Sequence, residues 1–205
     1  MPPITANQII SAFKQGDAGN CASISVIKLA LFQYGFEATL QPVAQADGYS
    51  VTLMDGTNMQ LTTAEIQSVA AVSDFANIQD ATIADQAQLT YAVMVKNKFQ
   101  QDGGATLTDV IDSTDHFLDM DTTKNFGYLG LGAKYDSLNN FDTNYLGNLA
   151  AYILTNFKHS AFAFGPNYDE HGTSTPITSF VNNHSTLLTR LFASRQIDGA
   201  YTPKI

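Results

Sequence analysis

The only cysteine of this 205-residue chain, Cys21, follows a short loop that contains two glycines. The loop reads Gln15-Gly16-Asp17-Ala18-Gly19-Asn20, and an apolar run with Ile24, Ile27 and Leu31 at helical spacing begins directly behind the cysteine. In the first turn of a helix, backbone N–H groups and the helix dipole favour an anion, which here would be a thiolate. The pattern therefore predicts a sulfur that is nucleophilic near neutral pH.

Gln15 lies six residues before the cysteine and carries a side-chain amide that the loop can bring back toward the sulfur. Together with the backbone N–H of Cys21, that amide would form a two-donor oxyanion hole for a tetrahedral intermediate. The alternative is a structural cysteine buried at the start of a core helix, and both interpretations stay open at this stage.

The motif Gln-Gly-x-x-Gly-x-Cys at the start of a long helix resembles the active-site segment of papain-like and calpain-like cysteine peptidases. The spacing from Gln15 to Cys21 and both glycines match, whereas Ala22 stands where many members carry an aromatic residue, usually Trp. The resemblance implies an α+β fold in a single catalytic domain over residues 1–205. Its helical lobe, about 1–141, would hold the cysteine helix, and its antiparallel sheet lobe, about 142–205, would hold a histidine.

The activity implied by the resemblance is hydrolysis of peptide bonds in a protein or peptide substrate. It would proceed through a Cys–His thiolate–imidazolium pair and a thioester acyl-enzyme, without metal or other cofactor. The alternatives are another cysteine-dependent acyl transferase, a deamidase of the toxin type, or a degenerate papain-like domain that only binds.

Such a cysteine needs an imidazole within hydrogen-bond reach, and the chain has four histidines. The resemblance favours His184, which follows two asparagines and precedes an apolar segment, as the histidine of the family begins a strand. His159 heads the apolar segment 160–164 and is the second candidate. His116, in an acidic helical segment, and His171, in a turn, are predicted to be exposed. A cysteine that meets none of them is also possible.

The resemblance implies a third residue, an Asn or Asp that orients the imidazole from the strand after the histidine. Asp198 is the residue in a plausible position, although Asp-Gly is also an ordinary turn sequence. The family's Asn-x-Trp-Gly segment is absent from the sequence. Either Asp198 substitutes for it, the site is a dyad, or the chain is truncated before that segment.

Metal and nucleotide sites are not expected. The segments Asp119-Met120-Asp121 and Asp169-Glu170-His171 gather carboxylates but have neither the EF-hand pattern nor the spacing of a zinc site. They are interpreted as solvated acidic loops. The glycines at 127, 130 and 132 lack the lysine motif of a phosphate-binding loop.

The composition indicates a globular protein, with 44% apolar and 14% charged residues. The formal net charge of −9 and the absence of a basic cluster argue against nucleic acid or an anionic membrane as a partner. The N-terminal residues lack the pattern of a signal peptide, and no apolar run is long enough to span a membrane. A soluble protein is expected, cytoplasmic or exported by an unconventional route, and its oligomeric state is left open.

Hydrophobic periodicity and turn residues predict the elements that must position these side chains. The predicted helices are 5–13, Cys21 to Gly35, 62–72, a longer one from Thr82 to Gly103, 106–117 and 143–157. The predicted strands are the hairpin 49–53 and 59–61 around Asp55-Gly56, then 160–164, 177–193 and 201–205, with 119–141 as loop. Helices first and strands last is an α+β order.

Overall fold

The chain folds into α-helices and antiparallel sheets, an α+β architecture. The computed structural model describes residues 4–111, 118–119, 121–132, 135–139, 151–155, 159–183 and 190–194. The helices are α1 Ala6–Ala12, α2 Cys21–Gln33, α3 Phe36–Leu40, α4 Thr63–Ser73, α5 Ala81–Asp102, α6 Thr122–Tyr128 and α7 Ile177–Asn183, with a 3₁₀ turn at Leu107–Val110.

The described residues form three antiparallel sheets. The strands are β1 Lys14–Gln15, β2 Val43–Gln45, β3 Gly48–Thr52, β4 Asn58–Leu61, β5 Phe75–Ala76, β6 Tyr135–Asn139, β7 Tyr152–Thr155, β8 Ser160–Phe164, β9 Asn167–Glu170, β10 Thr173–Pro176 and β11 Arg190–Ser194. The largest sheet has the order β10-β9-β8-β7-β11-β6, the second β2-β3-β4, and β1 pairs with β5.

Local sequence signals account for the elements of the first half. Thr5 and Gln8 form a capping box at the start of α1, and Thr62 and Glu65 form another at the start of α4. Strands β3 and β4 form the hairpin predicted around the Asp-Gly turn. The helices predicted at 5–13 and 62–72 and the hairpin predicted around Asp55-Gly56 are therefore confirmed. Helix α5 begins earlier than expected, because Asp80 rather than Thr82 accepts the hydrogen bond from the N–H of Ile83.

Helix α2 is the centre of the molecule. All ten residues from Ala22 to Leu31 are buried. The helix packs against α1, α5 and α6 on one side and against β7 and β8 on the other. A helix that is apolar on every face is expected to lie inside a core, and its first residue is Cys21.

Strands β7 and β8 of the six-stranded sheet are buried on both faces. Side chains alternate along a strand, so Ile153 and Phe162, which are register partners, face α2 and belong to the main core. Tyr152, Leu154 and their neighbours form a second core on the opposite face, together with Phe180 of α7.

Three predictions for the second half are wrong. The segment 119–141, expected to be loop, contains α6 and β6, and residues 152–155, expected to be helical, form β7. The segment 177–183, expected to be strand, is α7. Of the helix predicted at 106–117, the structure describes a 3₁₀ turn at Leu107–Val110. Strand β7 is buried on both faces and therefore lacks the alternation that marks a strand.

The strand predicted at 160–164 is confirmed as β8. The end of the strand predicted at 177–193 lies in β11 and is confirmed. The strand predicted at 201–205, residues 184–189 of the strand 177–193, and residues 112–117, 143–150 and 156–157 of the predicted helices lie outside the described residues. Within the part of the chain that is described, no helix combines the length and apolar character needed to cross a membrane.

Candidate active site

The loop between α1 and α2 is held by the segment that ends α4. Strand β1 pairs with β5, and the N–H of Gly16 donates to the carbonyl of Asp74 at 2.8 Å. The carboxylate of Asp74 accepts the N–H of Ala18 at 2.9 Å, and the side-chain amide of Asn20 donates to the carbonyl of Ser73 at 2.6 Å. Three hydrogen bonds to two consecutive residues therefore fix the path of the chain up to Cys21.

Packing against Asp74 explains the glycine at position 16, the first glycine of the motif. A Cβ atom on Gly16 would lie 2.3 to 2.4 Å from the carboxylate atoms of Asp74, far inside van der Waals contact. Asp74 itself adopts a left-handed conformation with φ of 49°. The close approach of the two residues explains why glycine is needed where the loop meets β5.

Gln15 lines the same cleft as Cys21. Its side-chain Nε2 donates to the carbonyl of Ala18, so the amide closes the loop on itself. An amide nitrogen carries two hydrogens, and this bond uses one of them. The structure therefore brings together the two residues that the motif proposed for an oxyanion hole.

Burial dominates the state of the Cys21 thiol. Desolvation raises its pKa above the usual value of 9.0, and the backbone N–H groups of Ser160, Ala22 and Cys21 itself lower it by donating to the sulfur. The net shift is upward. The prediction that the helix start alone makes the thiol acidic is therefore wrong, because the loss of hydration outweighs the nearby N–H groups.

His159 is the histidine that the described structure brings into the cleft of Cys21. It immediately precedes β8, it lines the cleft, and the N–H of the next residue, Ser160, donates to the cysteine sulfur. Its Nε2 atom is shielded from solvent. The residues favoured at first, His184 and Asp198, lie outside the described residues, as does His116.

His171 lies in the turn between β9 and β10 and also lines the cleft. Its side chain is 50% exposed, which confirms the prediction of an exposed turn residue. Its backbone is left-handed, with φ of 48°, and its ring centroid lies 5.5 Å from that of His159. The cleft thus holds two imidazoles, in a space of about 280 Å³ that includes its opening to solvent.

Helix α6 attaches to both sides of the cleft. The hydroxyl of Thr122 lies 3.1 Å from that of Ser160, which is also 2.6 Å from the hydroxyl of Thr155. Asn125 accepts the hydroxyl of Ser23, on the first turn of α2, at 2.6 Å. A helix that sequence reasoning missed therefore connects the start of the cysteine helix with the start of the histidine strand.

A buried ion pair lies beneath the cleft. Lys28 Nζ is 2.6 Å from Asp169 Oδ2, and it also donates to the carbonyls of Ile10 and Phe13 at 2.9 and 2.6 Å. Burial lowers the pKa of Lys28, and the negative charge of Asp169 opposes that shift. Asp169 is only 8% exposed, so the interpretation of its segment as a solvated acidic loop is wrong for this residue.

Sequence reasoning overlooked Lys28, although the sequence carries a signal for it. A single cation in an otherwise apolar helical run requires a buried acceptor, because an unpaired buried charge is very costly. The role of Asp74 has no comparable signal, since it depends on the pairing of β1 with β5.

The charged residues of the described segments do not converge on a metal site. No group of three or more His, Cys, Asp or Glu side chains in those segments is placed to hold a metal ion. The described side chains that line the cleft include a thiol, two imidazoles, an amide, a carboxylate and an amine.

Comparison of the chain with protein-family models, with curated proteins and with solved structures found no match.

Proposed function

We propose that this protein is a papain-like cysteine hydrolase that cleaves peptide bonds, with Cys21 as nucleophile and His159 as its general base and acid. The observation that carries the proposal is that Cys21, His159 and Gln15 line one cleft. The cysteine begins the central helix and the histidine heads a strand of the sheet that packs on this helix. This arrangement supports the two-lobe organisation implied by the motif.

The reaction begins with a neutral thiol, because burial raises the pKa of Cys21. The imidazole of His159 takes the thiol proton as the sulfur attacks the acyl carbon, and the amide C=O becomes an oxyanion. The N–H of Cys21 and the amide of Gln15 stabilise that oxyanion. The imidazolium then protonates the departing amine, and the C–N bond breaks to leave a thioester.

Water completes the cycle. His159 removes a proton from a water molecule, whose oxygen attacks the thioester carbon. The thiol then leaves with that proton, and the product is a carboxylic acid. A deamidase would use the same steps on a side-chain amide, and an acyl transferase would replace water by an amine.

Acetylation by p-nitrophenyl acetate tests the nucleophile without knowledge of the substrate. We expect the native protein to release about one equivalent of nitrophenol rapidly and to gain one acetyl group on Cys21 by mass spectrometry, as acyl-enzyme formation requires. The Cys21→Ser variant is the control and should show no burst. A cysteine that is acetylated only after denaturation would instead establish a structural residue in a binding domain.

The same pair of proteins tests the reaction class. We expect the wild type, but not Cys21→Ser, to cut members of a mixed peptide library into shorter fragments. Conversion of glutamine to glutamate without chain cleavage would assign a deamidase in place of a peptidase.

A further inference from the structure

Lys28 lies seven residues after Cys21, two turns along α2, and its side chain is fully buried. An ammonium group has three N–H donors, and here they have three oxygen acceptors. The ammonium also lies 4.7 Å from the ring centroid of Phe13. The charge is therefore fully partnered inside the molecule.

The three acceptors belong to parts of the chain that carry different components of the cleft. The carbonyls of Ile10 and Phe13 end α1, directly before the strand that contains Gln15. The third acceptor, Asp169, is in β9. One ammonium group thus connects the cysteine helix, the Gln15 loop and the six-stranded sheet.

Asp169 also holds the turn that carries the second imidazole of the cleft, that of His171. Its other oxygen, Oδ1, accepts the N–H of Gly172 at 2.6 Å and so closes the turn that carries His171. That turn is in a strained left-handed conformation, which persists only where its surroundings hold it. The ring of His171 is in turn packed beside the ring of His159.

A buried ion pair is a poor source of stability, because desolvation offsets most of its attraction, and well-packed apolar side chains of similar size are often as stable. The pair is better explained by a role in geometry. Its charges and hydrogen bonds hold the cysteine helix, the end of α1 and strand β9 at fixed separations. The cysteine helix, the strand directly after α1 and β9 each contribute a side chain to the cleft.

We propose that Lys28 and Asp169 are positioning residues for the cysteine chemistry. Their ion pair sets the distance between the Cys21 helix and the end of the six-stranded sheet at which both histidines lie. The proposal rests on the proposed function, because it assigns the pair a role in the reaction of Cys21 with His159.

The test compares the wild type with the apolar double variant Lys28→Met with Asp169→Leu. We expect the double variant to unfold at the same temperature as the wild type or higher. Acetylation of Cys21 by p-nitrophenyl acetate at pH 7 should be slower by about 10- to 100-fold, as for a misplaced reacting group. The rate should also lose the rise with pH that accompanies deprotonation of an imidazole base.

A more conservative double variant, Lys28→Met with Asp169→Asn, gives a rescue. Its amide oxygen still accepts the N–H of Gly172, so the turn that carries His171 is closed without the buried charges. We expect its acetylation rate to lie closer to the wild type than that of the apolar pair.

The control is Lys96→Met, which removes the ion pair with Glu65 between α5 and α4. Neither residue lines the cleft, so the wild-type rate and pH profile are expected.

The outcomes separate the two proposals. A folded apolar double variant with the wild-type rate and pH profile overturns the positioning role, and so does one that fails to fold, because the pair would then be needed for stability. A wild-type protein that is never acetylated on Cys21 overturns the proposed function, and the positioning role with it.

Discussion

At the scale of single residues, the cleft contains a thiol that resists ionisation and an imidazole, that of His159. Burial raises the pKa of Cys21 in spite of three backbone N–H donors. A neutral thiol reacts slowly by itself, so the proposed reaction depends on proton transfer to a base in the transition state. In the proposed mechanism, His159 is therefore the residue that decides the rate.

We predict that His159→Ala lowers the rate of Cys21 acetylation at pH 7 by about 10²- to 10⁴-fold, the usual contribution of a general base. A neutral imidazole accepts the proton, so the wild-type rate is low in acid and rises with pH as the imidazole loses its proton. Without the base, the rate should rise only as the thiol ionises, above its usual value of 9.0. Measuring the nitrophenol burst across this pH range distinguishes the two profiles.

His171→Ala is the matched control for this prediction, because His171 also lines the cleft but is half exposed. We expect this variant to keep the rise of the acetylation rate with pH. His184→Ala tests the histidine that the motif favoured at first. Loss of the rise in His184→Ala together with its retention in His159→Ala would assign the base to His184 and contradict the proposed role of His159.

At the scale of elements, the site depends on a two-residue ladder and on the residue beside it. Strands β1 and β5 pair over only two residues, and Asp74 supplies both a backbone and a side-chain acceptor to the loop before Cys21. Because these contacts hold the loop before Cys21, we expect a change at any of them to shift the path of the loop. The closest of the contacts is the approach of Gly16 to the carboxylate of Asp74.

We predict that Gly16→Ala destabilises the protein by about 1–3 kcal/mol, as overpacking of a close contact does. Asp74→Gly removes the clashing carboxylate and suits the left-handed backbone at that position, so Gly16→Ala should cost less in that background. Denaturant unfolding of the four proteins in a double-mutant cycle measures the coupling.

The control is Gly127→Ala, since a Cβ there would meet no atom within 4 Å and the residue lies in α6. It should be neutral or stabilising by up to about 1 kcal/mol, because alanine favours a helix. Equal costs of Gly16→Ala in both backgrounds would show that Asp74 does not constrain the loop.

At the scale of the whole molecule, helices and sheet share one core. Ile153 of β7 and Phe162 of β8 belong to the same buried cluster as the residues of α1, α2 and α5. Lys28 and Asp169 add a polar link between helix and sheet. Separation of the sheet from α2 would therefore expose apolar surface and two charges at once.

We predict that the protein unfolds in a single cooperative transition. In urea, the loss of helical circular dichroism and the loss of the near-ultraviolet signal of the buried tyrosines, among them Tyr152 and Tyr168 of the sheet, should have the same midpoint, as in two-state unfolding. Loss of the tyrosine signal at a lower urea concentration, with the helices intact, would show instead that the sheet separates first.

The sequence by itself determined the elements whose stabilising contacts are local. The capping residues Thr5 and Thr62 bond to groups three residues ahead, and the turn at Asp55-Gly56 joins adjacent strands. The placement of Cys21 at the start of a buried helix and of Gln15 beside it followed from one short motif in the same way.

Only the tertiary structure decided the elements and contacts that depend on distant partners. Strand β7 is stabilised by its pairing with β8 and β11, and its burial on both faces removes the alternation that a sequence would show. Asp74 lies 56 residues from Ala18, and Asp169 lies 141 residues from Lys28. Residues so far apart meet only when the chain has folded, so the sequence singles out Cys21, and the fold decides which side chains surround it.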